Sequence, residues 1–219
     1  MRTGEQIRND IIKQLEWDSR VNCTSISVEV KEHTVILTGN VSSYMQKAAA
    51  YTDALSVNGV AEVHNHLKII PDKTDQDYND EQILWNIQSV ITLNPAININ
   101  TVKITVNKGI VYLGGAVDEF WKKMQTEEIV FDVPGVRDVV STLSVVPTNS
   151  PYDQAISADI LSAIQRISNI DIQKISVTVD GGRVTIQGRV PDWHAYTSAH
   201  NAAKYTRGVT DLTNKLIIG

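Results

Sequence analysis

The chain has 219 residues, room for two or three small domains, and its 42% hydrophobic and 21% charged residues mark a globular rather than a disordered polypeptide. A formal charge of −5 excludes a general nucleic-acid binder, which carries a basic excess. The single cysteine, Cys23, cannot form an intramolecular disulfide, and no apolar run approaches the roughly 18 residues of a membrane-spanning helix.

In chain order, the first predicted element is an amphipathic helix with Ile7, Ile11 and Leu15 on one stripe. Two alternating strands follow, Ile26-Val28-Val30 and Val35-Leu37-Val41, joined by a tight turn at Lys31-Glu32-His33-Thr34. A second helix is expected over 43–55, with the small row Ala50, Ala54 and Val57 lying close on a sheet. Gly59-Val60 ends it, and Val63, Asn65, Leu67 and Ile69 read as a third strand. The stretch from Pro71 to Asp77 reads as a linker, as does the one from Pro147 to Pro151.

The same series then recurs twice. Gly39, Gly115 and Gly188 each stand 20 residues before Gly59, Gly135 and Gly208. Ile83, Ile87 and Ile91, then Ile156, Ile160 and Ile164, repeat the first helical stripe. Fixed spacing in three copies is a repeat signature. The expected fold is α+β: three tandem α-β-β-α-β units at 1–72, 78–147 and 152–219. Each is a three-stranded mixed sheet with two helices on one face, since strict alternation leaves only one face dry. Asp80 and Asp153 stand where helix N-caps belong, whereas the first copy lacks one and is expected to fray. Gly59, Gly135 and Gly208 are expected as left-handed helix caps with positive φ. His33 replaces a turn glycine, so the first hairpin turn is expected to be the most strained or the longest.

A helix, a hairpin ending in hydrophobic-x-Gly-x-Val, a second helix, and Gly-Val-x-x-hydrophobic-x-Asn-x-Leu together resemble the BON domain, the bacterial osmotically inducible and nodulation module. Gly39, Gly115 and Gly188 match its hairpin glycine. Asn65 and Asn214 match its late asparagine, where the second copy has Ser141. The resemblance spans nearly the whole chain. It implies a non-enzymatic, envelope-associated binding or scaffold module that engages anionic phospholipid or an envelope partner under osmotic or general stress. The alternative is a chaperone-like or adaptor module that holds other polypeptides on its open sheet faces, without lipid. Many such proteins are periplasmic or lipid-anchored. Met1 to Arg8 lacks the apolar core of a secretion signal. The expected location is therefore cytoplasmic, or periplasmic where a leader has been removed.

No catalytic constellation, cofactor motif or metal site is expected. His64 and His66 share one strand face but have no third ligand in sight, and His194 and His200 have no nucleophile partner. Cys23 has no neighbouring base. The acidic run Asp72, Asp75, Asp77, Asp80 and Glu81 lacks the glycine and terminal glutamate of a calcium loop.

Tyr44, Phe120 and Trp193 are equivalent, each at the start of a second helix. They suit either core capping or a membrane interface. With flanking cations they give the candidate lipid- or partner-binding residues Trp121, Lys122, Lys123, Arg189 and Trp193. The third unit, with 7 basic and 6 acidic residues over 150–219, is the one suited to an anionic surface; 73–149 has 6 and 10, and 1–72 has 7 and 9.

Overall fold

Each copy's first stripe is buried to completion: Ile7 and Ile11 are fully buried, as are Ile87, Ile91, Ile160 and Ile164. The computed structural model describes residues 2–70, 78–148, 151–167 and 170–219. The expected linker over 71–77 and residues 149–150 of the second lie outside them.

Unit one consists of α1 (Gly4–Trp17), a 3-10 turn (Cys23–Ser25), β1 (Ile26–Lys31), β2 (Thr34–Val41), α2 (Tyr44–Ser56) and β3 (Glu62–Ile69). Unit two repeats it with α3 (Asp80–Leu93), a 3-10 turn (Ile99–Thr101), β4 (Val102–Asn107), β5 (Ile110–Val117), α4 (Phe120–Phe131), β6 (Asp138–Ser141) and β7 (Ser144–Val145). Unit three has α5 (Asp153–Gln165), a 3-10 turn (Ile172–Lys174), β8 (Ile175–Asp180), β9 (Arg183–Val190), α6 (Trp193–Lys204) and β10 (Asp211–Ile218).

The fold is α+β, with three mixed sheets and two helices to each. In every sheet the returning hairpin strand is central. β2 pairs antiparallel with β1 (Val28 opposite Leu37) and parallel with β3 (Leu37 opposite Asn65). Both helices cover the same face: Ile7, Ile11 and Leu15 of α1 and Ala50 and Ala54 of α2 share one core with Val28, Val35, Leu37 and Leu67. The alanines let α2 lie close on the sheet.

Two glycine positions have a steric cause. A Cβ on Gly39, Gly115 or Gly188, each at positive φ, would stand 2.0, 2.1 and 2.0 Å from the last carbonyl oxygen of the 3-10 turn, on Ser25, Thr101 and Lys174. Gly59, Gly135 and Gly208 also have positive φ but are not helix caps. The residues capping α2, α4 and α6 are Val57, Asp132 and Tyr205, in extended or right-handed conformations. The glycines lie further on, where a Cβ would come within 3.0 Å of the δ-methyl of Ile7, Ile83 or Ile156. They make room for the first residue of the helical stripe.

The expected aspartate caps are also corrected. α1 does have a cap: Thr3 and Gln6 form a reciprocal capping box, as Asn79 and Gln82 do on α3. Asp80 stands one residue further in and accepts from the Lys108 and Gly109 amides at 2.8 and 2.9 Å, fastening the helix start to the hairpin turn. Asp153 accepts likewise from Gly181 and Gly182 at 2.9 and 3.0 Å. These amide bonds hold the Asp80 carboxyl below its ordinary value.

The first hairpin turn is no longer than the others, since Lys31 pairs with Thr34 as Asn107 pairs with Ile110. Its positive φ falls on Glu32, and the His33 imidazole Nδ1 lies 2.8 Å from the Gly59 carbonyl oxygen. In unit two a Cβ on Gly109 would stand 2.9 Å from the equivalent oxygen of Gly135.

The late asparagine ties its strand to the second helix. Asn65 Nδ2 donates to the Lys47 carbonyl at 2.9 Å and its Oδ1 accepts from Leu67 N. Among the described residues the shorter Ser141 reaches only Leu143 N, at 3.4 Å, and here the strand is interrupted between β6 and β7.

Candidate functional site

The second helices carry the seams between units. The Tyr44 ring of unit one stacks on Phe131 of unit two at 3.7 Å. Phe120 of unit two, 5% exposed, belongs to the core of unit three, with Met124 packed beside it. Trp193 and Tyr196 of unit three pack against the core of unit one. The contacts run from one to two, two to three and three back to one. An aromatic repeated in every copy thus docks onto a neighbouring unit.

The five expected binding residues are not gathered on one surface. Trp193 lies half-buried against unit one, stacked with Tyr196 at 5.1 Å. Trp121 tilts against Tyr205 of unit three at 6.5 Å. Lys122 Nζ donates to both Asp118 oxygens, at 2.8 and 2.9 Å, and lies 5.6 Å over the Trp121 ring. That bond holds the Asp118 carboxyl below its ordinary range. Lys123 is half-buried, and Arg189 is exposed on the open sheet face of unit three.

The histidines have bland surroundings. His64 and His66 stand exposed on β3 with ring centroids 6.3 Å apart, and His64 Nε2 is 3.0 Å from Glu62. Burial, then the Lys204 charge, pushes the His200 imidazole down, and Asn214 lies 3.3 Å from its Nδ1. His194 is exposed and Cys23 packs at the edge of the unit-one core. Among the described residues no group of three or more His, Cys, Asp or Glu is placed to hold a metal ion. None of their helices is long and apolar enough to cross a membrane.

The open sheet faces differ from unit to unit. Unit one presents Glu29 and Lys31, paired at 3.2 Å, on one edge strand and His64 and His66 on the other. Unit two presents Tyr112 and Val140, directly opposed in the register and both over 40% exposed. On unit three Ser176, Gln187 and Lys215 lie in one cross-strand row, and Arg189 and Ile217 are partners two residues on. Their neighbours Ile175, Ile186, Val190 and Leu216 are buried, so this set points outward. Together with Lys174 it lines a groove of about 740 Å³. Its charge comes from Lys174, Arg189 and Lys215; Asp171 lies 3.6 Å from Lys174. Ile217, 48% exposed, supplies the apolar element.

Comparison with known proteins agrees with this repeat. A family model described as the BON domain matches residues 3–71, 79–147 and 152–219. Among solved structures, the chain is similar to CdsD, a structural protein of the Type III secretion system of Chlamydia trachomatis. The identity is 10%, over 96% of this chain and 91% of that one, at a TM-score of 0.27. A structure of the CdsD C-terminal domain is similar at 11% identity, over 96% of both chains, also at 0.27.

Proposed function

The chain belongs to the BON domain family, in three copies, and from that premise we propose that it is a non-enzymatic binding module that engages anionic phospholipid through the open sheet face of its third unit. The observation that carries this reading is the outward set Lys174, Arg189, Lys215 and Ile217 around one groove. Cations near an anionic surface contribute about 1 kcal/mol each, and an apolar side chain adds burial at the headgroup boundary. Three cations, one of them paired with Asp171, give weak attachment, so the module works with other contacts of the envelope rather than as a stable anchor. Of the five residues expected at the second-helix starts, Arg189 belongs to this surface. Trp121, Lys122 and Lys123 flank the seam between units two and three, and form the second surface to test.

Vesicle flotation tests the reading, with phosphatidylglycerol vesicles against phosphatidylcholine vesicles. The protein should float with the first, less so as salt rises. The pair R189E/K215E should abolish flotation with the circular dichroism spectrum unchanged. Equal flotation with both lipids, or full retention by R189E/K215E, overturns it. The triple variant W121S/K122E/K123E reads the helix-start surface in the same assay; its loss alone would move the site there.

A further inference from the structure

Unit two carries a groove of another kind. It lies between α3 and the end of α4, holds about 450 Å³, and has an apolar floor of Val90, Ile129, Val133 and Pro134. Trp85, Val90 and Leu93 stand along the exposed side of α3, 68%, 42% and 83% exposed. Val90 follows Trp85 by five residues and Leu93 follows Val90 by three, so the three spread over roughly 140° of the helix circumference and about 12 Å of its length.

The repeat shows what is special here. The equivalents of Val90 and Ile129 in unit one are Gln14 and Asp53, whose side chains hydrogen-bond to each other at 3.4 Å. In unit three they are Ala163 and Ala202. Trp85 corresponds to Asn9 and Ala158. One copy has a polar bridge at this place and one has two alanines. The middle copy alone carries large apolar side chains there.

The rim is acidic. Asp132 lines the groove, and α3 carries no basic residue. α4 has Lys122 and Lys123 in its first turn, at the far end from Ile129, while Glu127 and Glu128 sit beside Ile129 and Asp132 follows the helix. Burial and the charge of Glu128 push the Asp132 carboxyl up, so a cation placed there relieves that penalty.

We propose that this groove docks a basic amphipathic helix of another polypeptide, its apolar side on Val90, Ile129 and Val133, its lysines or arginines toward Glu128 and Asp132. In helix-in-groove recognition an amphipathic helix lays its apolar side into a groove with a floor of this kind. The exposed Trp85 indole offers a face to a cation. A second copy of this chain does not fit. The six α-helices among its described residues carry no excess of basic residues beyond one, and their apolar stripes are buried in their own units.

The test uses the full chain and a synthetic helical peptide of about 14 residues, leucines on one face and lysines on the other, beside a twin with glutamates for lysines. Calorimetry and tryptophan emission should report binding of the lysine peptide only, with a blue shift. V90Q/I129D, which installs the unit-one pair, should weaken binding at least tenfold. W85A, a change at an exposed site, should weaken it several-fold and abolish much of the shift. R189E/K215E should bind the peptide as the parent does, which separates this groove from the lipid-facing surface. Failure of the parent to bind, equal binding of the glutamate peptide, or unchanged binding by both groove variants overturns the proposal.

Discussion

Tyr44 lies almost parallel to Phe131, with ring centroids 3.7 Å apart and planes 13° from each other, although the two belong to different units. The position that begins the second helix in every copy therefore works between units rather than within one. A core of three strands and two helices is small and marginal alone. Burial against a neighbour adds apolar area that no single unit can supply.

The seams should be felt in stability. Phe120→Ala removes a side chain 5% exposed in the core of unit three and should cost about 3–5 kcal/mol in denaturant unfolding. Tyr44→Ala should cost less, about 1–2 kcal/mol, since it loses a stacked pair on a half-buried seam. An unchanged midpoint for Phe120→Ala would mean that the units do not rest on one another.

Adjacent glycines should respond in opposite ways. An alanine Cβ at Gly115 would meet the Thr101 carbonyl oxygen at 2.1 Å at a φ of 100°, so Gly115→Ala should cost about 3–5 kcal/mol. At Gly114 the nearest atom is Thr142 Oγ1 at 3.6 Å, so Gly114→Ala should stay within about 1 kcal/mol of the parent. Thermal melts of the two variants side by side decide this.

The helix-to-turn clamp should be pH-dependent. Hydrogen bonds from Gly109 N and then Lys108 N hold the Asp80 carboxyl below 3.8, its ordinary value. The folded state favours the ionised form, so the stabilisation is present above the ordinary carboxylate range and is lost as pH falls through the lowered value. Asp80→Ala should lower Tm at pH 7 and flatten the acid limb of the Tm–pH curve. In unit one, Gly4 occupies the equivalent position, and a Cβ there meets only ordinary contacts at 3.7 Å from Val30 O. Gly4→Asp should raise Tm, through helix propensity at the least.

Asp53 should show the opposite sign. It is 6% exposed, its Oδ2 has no donor among the described residues, and burial pushes its carboxyl up; Gln14 opposes that and the Asp18 charge adds to it. Asp18, hydrogen-bonded to Arg20, is held down at about 2. With the Asp53 value raised on folding, stability is greatest below its ordinary range and is lost as pH rises through the folded value. Asp53→Asn supplies a donor and no charge. It should stabilise the protein by about 1 kcal/mol at pH 7 and have little effect near pH 3.5, measured by urea unfolding at both.

The sequence by itself determined the repeat and the fold of each unit. Three stripes at period four, alternating strands and glycines at fixed intervals are local signals, and Ile7, Val35 and Ala50 are buried as their spacing requires. What each glycine is for was not legible. That Gly135 yields room to Ile83, and Gly115 to the Thr101 carbonyl, depends on which backbone segments meet in space. For the same reason Asp80 has the local pattern of a cap, whereas its partners are the amides of a hairpin turn 28 and 29 residues away. Only the tertiary structure decided where Trp121 and Trp193 face. An aromatic with cations nearby reads alike at a membrane boundary and at a seam, and the difference is whether another unit lies against it. The cationic face of unit three and the apolar groove of unit two are likewise sums over side chains from different strands and helices, which periodicity within one element cannot register.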